Sequence, residues 1–212
     1  MENNNRVMVT VSVASLYLEP TFTSELVTQA LKGEDLVVLD YKNKWLKVKQ
    51  WDDYISWIHD SYIEEYNSQF LNNNIKENQV LMSMNEMIEY GHSLIGTPYL
   101  WGGKSKLGFD CSGFIQTLLR LIGIKFPRDC SQQIKYINMK KIDLENSDIG
   151  DLIFFKENKS ISHIGIFVNS NGCFLHCSGE VKINSINSKN KVYYSNKLEL
   201  LFHSIYRIEN DT

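Results

Sequence analysis

The chain has 212 residues, enough for one full hydrophobic core and a second small domain. Its 22 basic and 25 acidic residues leave a net charge of −3, and no Lys/Arg block is long enough to track a phosphate backbone, so nucleic acid is not an expected partner. No apolar run approaches the roughly 20 residues of a membrane-crossing helix. The four cysteines (Cys111, Cys130, Cys173, Cys177) lack the spacing of a disulfide framework, which points to a reduced, cytoplasmic protein.

In "RVMVTVSVASLYL", Val7, Val9, Val11 and Val13 alternate with Met8, Thr10 and Ser12, which predicts a strand. An export signal would need a cationic start and a small-residue cleavage site, and "MENNNR" carries one acid and one base. Short strands follow in "LVTQAL", "EDLVVLDYKNKWLKVKQ" and "SWIHDSYI", broken by "EPT", "KGED", "YKNK" and "WDD". Residues 1–66 therefore read as a small all-β barrel or sandwich, with "KNKWLKVKQ" as a half-buried edge strand. Polar, Asn-rich residues 67–79 read as a linker, with Phe70 and Leu71 docking on a neighbouring surface.

From residue 80 the period becomes helical. Met84, Met87, Ile88, Leu94 and Ile95 predict a helix ending at Gly96. Asp110 is a natural N-cap for a second helix, carrying Phe114, Ile115, Leu118, Leu119 and Ile122 and stopping at Gly123. A short helix is expected near "RDCSQQIKYI", then strands in "DLIFF", "SHIGIFV", "CFLHCS" and "LFHSIYRI". Residues 80–212 thus form an α+β domain with helices packed on an antiparallel sheet.

Cys111 follows the N-cap, where exposed amides and the helix dipole favour a thiolate. Helical spacing puts it on the face of Ile115, Leu118 and Ile122, toward the sheet. That placement alone fits a buried structural cysteine as well as a nucleophile. A nucleophile needs a base, and the base needs an orienting group. His163 shares its strand face with Gly165 and Phe167, while His176 faces away from Cys173, Leu175 and Cys177. The "NSNG" turn makes these strands a hairpin, so one ring can face the thiol while the other holds it. The same alternation keeps His176 from converging with Cys173 and Cys177 on a metal ion. His59, His92 and His203 read as structural.

The segments "GTPYLWGG", "FDCSGFIQ", "PRDCSQQ", "GDLIFF" and "SHIGIFV…CFLHCS" together resemble the NlpC/P60 family of papain-like cysteine peptidases. The resemblance implies Cys111 as nucleophile, His163 as general base and His176 as its orienting partner, with the Cys111 amide in the oxyanion hole and no metal or cofactor. The first sixty residues resemble a bacterial SH3 module through "SLYLEPTFTSELVTQALKGEDLVVLD", "WLKVKQ" and "DYISWI". Family members with such a module resemble γ-D-glutamyl-L-diamino acid endopeptidases, which act on free murein stem peptides with an unblocked N-terminal L-alanine.

A buried ammonium needs carboxylate and hydroxyl acceptors. Glu19, Tyr54 and Asp129 match the acid, tyrosine and acid of that subgroup, and Tyr99, Trp101, Asp110 and Ser112 are the other expected substrate-binding residues. Each of the first three also has a plain reading: Glu19 as turn surface, Tyr54 as module core, Asp129 as a helix cap. Cys130 and Cys177 stand where small polar residues are expected. The resulting expectation is a monomeric cytoplasmic cysteine peptidase that releases L-Ala-γ-D-Glu during cell-wall recycling, with no membrane partner. The alternatives are an amidase or acyltransferase on another amide, or a non-catalytic wall-binding protein.

Overall fold

The computed structural model describes residues 5–65 and 81–209; the predicted linker 67–79, with Phe70 and Leu71, lies outside them. The chain divides into two compact units, Met1–Leu81 with Trp101–Ser105, and Met82–Leu100 with Lys106–Thr212. Among the described residues no helix is long and apolar enough to cross a membrane.

The first unit is all-β. Its strands are β1 (Arg6–Val9), β2 (Val13–Tyr17), β3 (Leu26–Leu31), β4 (Asp35–Lys42), β5 (Trp45–Lys49), β6 (Ile55–His59) and β7 (Ile63–Glu65), in the sheet order β3-β2-β6-β5-β4-β1-β7. The single strand expected from Val7 onward is two. β1 pairs with β4 and β7, whereas β2 pairs with β3 and β6, so the chain must break at Thr10–Ser12 to change partners. Val7, Val9, Ala14, Leu16, Leu36, Leu46, Val48 and Ile58 fill one core.

β5 is not the expected edge strand, because it pairs on both sides, with β4 and β6. Its alternation is half polar for another reason: Trp45, on the face opposite Leu46 and Val48, is covered by Tyr17, Phe22 and His59 at centroid distances of 4.8–5.6 Å. The short β8 (Lys104–Ser105) also belongs here, its Lys104 amide donating to Gln29 Oε1 at 2.9 Å.

The second unit is α+β. It comprises α1 (Met84–Ser93), β9 (Gly108–Phe109), α2 (Cys111–Leu121), α3 (Cys130–Gln133), β10 (Met139–Ile142), β11 (Leu152–Glu157), β12 (Ser160–Phe167), β13 (Cys173–Ser178), β14 (Glu180–Ser185), α4 (Asn196–Leu201) and β15 (Phe202–Ile208). The antiparallel sheet runs β10-β15-β11-β12-β13-β14. One face, through Leu152, Phe154, Ile164, Ile166 and Leu175, packs on Met87, Ile88, Phe114, Ile115 and Leu118 of the helices. The other, through Ile153, Phe155, Phe167 and Phe174, is covered by Leu198 and Leu201 of α4.

α1 starts at Ser83, whose hydroxyl accepts from the Glu86 amide while the Glu86 carboxylate accepts from the Ser83 amide. It ends earlier than Gly96, because the Leu94 and Ile95 amides turn back to the carbonyls of Gly91 and His92, three residues earlier. Four elements of this unit were not foreseen: β9, β10, β14 and α4. β10 and β14 are the edges of the sheet, where half-exposed strands carry no clean apolar alternation.

Candidate functional site

The start of α2 is built around a buried ion pair. Asp110 Oδ1 accepts from the Gly113 amide at 2.6 Å, the N-cap bond expected from sequence. Both carboxylate oxygens also receive the Arg128 guanidinium, at 3.0 and 2.6 Å, and Arg128 donates to Ser112 Oγ at 2.9 Å. Arg128 is 1% exposed, so this fork works in a nearly dry interior. Gln133 Nε2 adds bonds to the carbonyls of Ser112 and Pro127. The segment 127–133 is thereby laced to the first turn of α2, and Cys130 Sγ comes to 3.6 Å from Cys111 Sγ.

The histidines approach Cys111 in a way that strand alternation did not foretell. Both share the sheet face of Phe155 and Phe174, whose rings they contact at 5.5 and 5.3 Å, while Cys111 belongs to the cluster on the other face. They meet at a β-bulge. Phe155 pairs with His163 and Lys156 with Ile161, which leaves Ser162 as the extra residue. The Ser162 carbonyl lies 4.0 Å from Cys111 Sγ, so the thiol sits beside the strand where its pleat is interrupted.

The proton positions follow from the hydrogen bonds. Asn184 Nδ2 donates to the Tyr193 carbonyl at 3.1 Å, which turns Asn184 Oδ1 toward His176 Nε2 at 2.8 Å. His176 Nε2 therefore carries the proton, and its Nδ1 accepts from His163 Nε2 at 2.7 Å. The nitrogen of His163 left for Cys111 is Nδ1. Burial, and then the charge of His163, pull the His176 pKa down to about 3, so this ring is a neutral acceptor.

The thiols titrate apart. The hydrogen bond from Cys130 and then the hydrogen bond and charge of His163 pull Cys111 below the ordinary thiol range, overcoming its burial. Cys130 is pushed up by its bond to Cys111, by burial and by the adjacent negative charge. Burial and the Cys111 charge push Cys177 up to about 12, and its S–H donates to the Phe109 carbonyl. One thiolate therefore stands among neutral thiols, beside a ring that can move a proton. This arrangement can carry out nucleophilic acyl transfer.

The sequence profile of the NlpC/P60 family matches residues 96–200, and that of the bacterial dipeptidyl-peptidase SH3 domain matches residues 16–63. Over 138 residues the chain is 35% identical to a probable endopeptidase of Haemophilus influenzae, covering 63% of this chain and 80% of that protein. The chain belongs to the NlpC/P60 family. Over 94 residues it is 42% identical to a gamma-D-glutamyl-L-lysine dipeptidyl-peptidase of Bacillus subtilis, a stretch that covers 43% of this chain and 31% of that protein. A solved NlpC/P60 family structure from Bacillus cereus superposes with a TM-score of 0.54 at 26% identity, over 98% of this chain and 64% of that one.

In this NlpC/P60 protein a cleft of about 320 Å³ opens at Cys111 and His163, lined also by Tyr99, Glu157, Ser162, Cys177, Ser178 and Gly179 and by Lys197, Leu198 and Leu201 of α4. Tyr99 is set there by its amide, which donates to the Gly179 carbonyl at 2.8 Å. Asp110 and Ser112, expected to bind substrate, are engaged in the Arg128 network. Asp129 is half-buried at the N-cap position of α3, where its amide donates to Gln132 Oε1. Glu19, Tyr54 and Trp101 belong to the β unit: Glu19 is exposed after β2, Tyr54 is half-buried before β6, and Trp101 donates its indole N–H to Glu25 at 2.7 Å. Asn184 and Arg128 went unnoticed in the sequence. Asn184 lies on an edge strand without a pattern, and a lone arginine gives no sign of burial.

Proposed function

We propose that this NlpC/P60 protein is a cysteine peptidase that cuts the γ-D-glutamyl-L-diamino acid bond of free murein stem peptides and releases L-Ala-γ-D-Glu, in cytoplasmic recycling of cell-wall peptides. The observation that carries the reading is the hydrogen-bonded series from Asn184 through His176 to His163 beside a thiolate-favouring Cys111. The name of the Bacillus subtilis relative supports the choice of bond.

In this reading the Cys111 thiolate attacks the γ-carbonyl carbon of D-Glu, and the amides at the start of α2 face the developing oxyanion. His163 gives the proton on Nδ1 to the leaving amine, then takes one from the water that attacks the thioester. His176 holds the ring in register throughout. Asp129 is the residue of this unit assigned to the ammonium of an unblocked N-terminal L-alanine, because an ammonium leaving water needs an acceptor of this kind.

Mass spectrometry of the products from L-Ala-γ-D-Glu-L-Lys, its diaminopimelate counterpart and their N-acetylated forms tests this. Dipeptide from the free peptides alone is expected. Cleavage of the acetylated forms would remove the role given to Asp129. Folded protein that cuts none of them would overturn the peptidase reading itself.

A further inference from the structure

Acyl transfer at Cys111 makes and breaks no bond to a second sulfur, yet Cys130 Sγ lies 3.6 Å from Cys111 Sγ. The two sulfurs open neighbouring helices, α2 and α3, and the bonds of Arg128 and Gln133 to Asp110 and Ser112 hold those starts together. Cys111 lines the open cleft, and Cys130, 9% exposed, stands behind it. We propose that Cys111 and Cys130 form a peroxide-reactive dithiol site, in which Cys130 captures oxidised Cys111 as a disulfide and so stores the nucleophile in a reversible, inactive form.

The chemistry balances in two steps. The Cys111 thiolate attacks an oxygen of a small hydroperoxide; an S–O bond forms, the O–O bond breaks, and the departing oxygen takes a proton to leave as water or alcohol. Cys130 then gives up its proton, and its sulfur attacks the sulfenyl sulfur; an S–S bond forms, the S–O bond breaks, and hydroxide leaves with that proton as water. Two thiols lose two electrons in total and one peroxide is reduced. A disulfide needs sulfurs about 2 Å apart, so the pair must close by roughly 1.5 Å, on the scale of a side-chain rotation.

The electrostatics order the two steps. The Cys111 thiolate and burial hold the proton on Cys130, so only Cys111 reacts first. Once Cys111 is a neutral sulfenic acid, the charge that held the Cys130 proton is gone and the second thiol can ionise. Cys177 competes poorly, because its thiol is pushed up to about 12 and its S–H is engaged by Phe109.

The test is peptide mapping, which needs no substrate. Trypsin places Cys111 in peptide 107–120, Cys130 in 129–135, and both Cys173 and Cys177 in 160–182. After two molar equivalents of hydrogen peroxide, one for the sulfenic acid and one for any further oxidation, the wild type is expected to lose iodoacetamide labelling at Cys111, to yield 107–120 linked to 129–135, and to regain full labelling with dithiothreitol. Cys130→Ser should yield no linked pair and should carry Cys111 on to sulfinic acid, with labelling that dithiothreitol does not restore. A wild type in which Cys111 goes directly to sulfinic acid, or links to 160–182, overturns the proposal. The wild-type map stands even if the variant fails to fold, and Cys173→Ser/Cys177→Ser, which keeps the proposed pair, should still give the 107–120 to 129–135 link.

Discussion

Asn184 Oδ1 lies 2.8 Å from His176 Nε2, and this contact sets the proton on every ring nitrogen between the edge of the sheet and the nucleophile. An acceptor there keeps His176 protonated at Nε2, leaves Nδ1 to accept from His163, and leaves His163 Nδ1 for the thiol. Without it, the His176 ring is free to take the other tautomer and present N–H to N–H. Asn184→Ala is therefore expected to lower kcat/KM by roughly 10- to 100-fold with little change in KM, the size seen when a group that orients a functional histidine is removed. Steady-state kinetics on the stem peptide checks this, and an unchanged kcat would mean that His176 needs no such partner. Asn184→Asp keeps the acceptor and should retain more activity than Asn184→Ala.

Gly165 pairs directly with His176 across the β12–β13 ladder, one alternate position from His163. A Cβ there would stand 2.8 Å from Phe174 Cδ2 and 3.0 Å from the Leu175 carbonyl oxygen, which is backbone and cannot turn away. Gly165→Ala should destabilise the domain by about 1–3 kcal/mol and push the two imidazoles out of line. A lower denaturant midpoint together with a reduced rate of Cys111 alkylation is the expected pair of readings. A variant with wild-type values for both would show that the hairpin relaxes around the methyl group.

How much of this was legible depends on how local each signal is. The Asp110 cap, the helical run to Gly123 and the alternation around His163 and His176 are written within a few residues, and the structure places the cap, the helix and both strands accordingly. The approach of thiol to imidazole was legible only in outline. Alternation gave the right strand face for each histidine, but the bulge at Ser162, where they meet Cys111, depends on how β11 pairs and leaves no mark in "SISHIGIFV". The Cys130 contact was equally hidden, because it depends on Arg128 crossing to Asp110, 18 residues away in sequence. In the first unit, "KNKWLKVKQ" looked like an edge because its second apolar face is supplied by Tyr17, Phe22 and His59 from elsewhere in the chain.

Arg128 and Asp110 illustrate the cost of a buried charge. Arg128→Met removes one partner and leaves the Asp110 carboxylate almost dry, so a loss of about 3–5 kcal/mol is expected. Adding Asp110→Asn should return part of that loss, since the unpaired charge disappears. Urea unfolding of the two variants measures both steps. A double variant less stable than Arg128→Met would mean that the helix cap, rather than the ion pair, dominates.

The acid side of Cys111 titration follows from its neighbours. The Cys130 hydrogen bond and His163 hold the thiol below its usual range, so iodoacetamide should react with Cys111 at full rate well below the ordinary midpoint of about 8.5. His163→Ala removes a hydrogen bond and a positive charge, and should move the midpoint of the rate profile upward. Cys177 should react only in strong alkali, consistent with a pKa pushed up to about 12. An unshifted profile in His163→Ala would assign the whole effect to Cys130 and the helix start.

His176 links the site to acid stability. Its pKa falls from 6.5 to about 3 on folding, chiefly through burial, so between those values the unfolded chain binds a proton that the folded chain refuses. Stability rises with pH wherever the unfolded state holds more protons. The contribution is therefore full above about pH 6.5 and is lost as the pH falls toward 3. His176→Gln removes this titration, so its melting temperature, although lower at neutral pH, should fall less steeply on acidification across the same window. Thermal unfolding of both proteins at a series of pH values decides it. Parallel slopes would mean that His176 is charged in the folded protein, and a charged His176 has no lone pair on Nδ1 with which to hold His163.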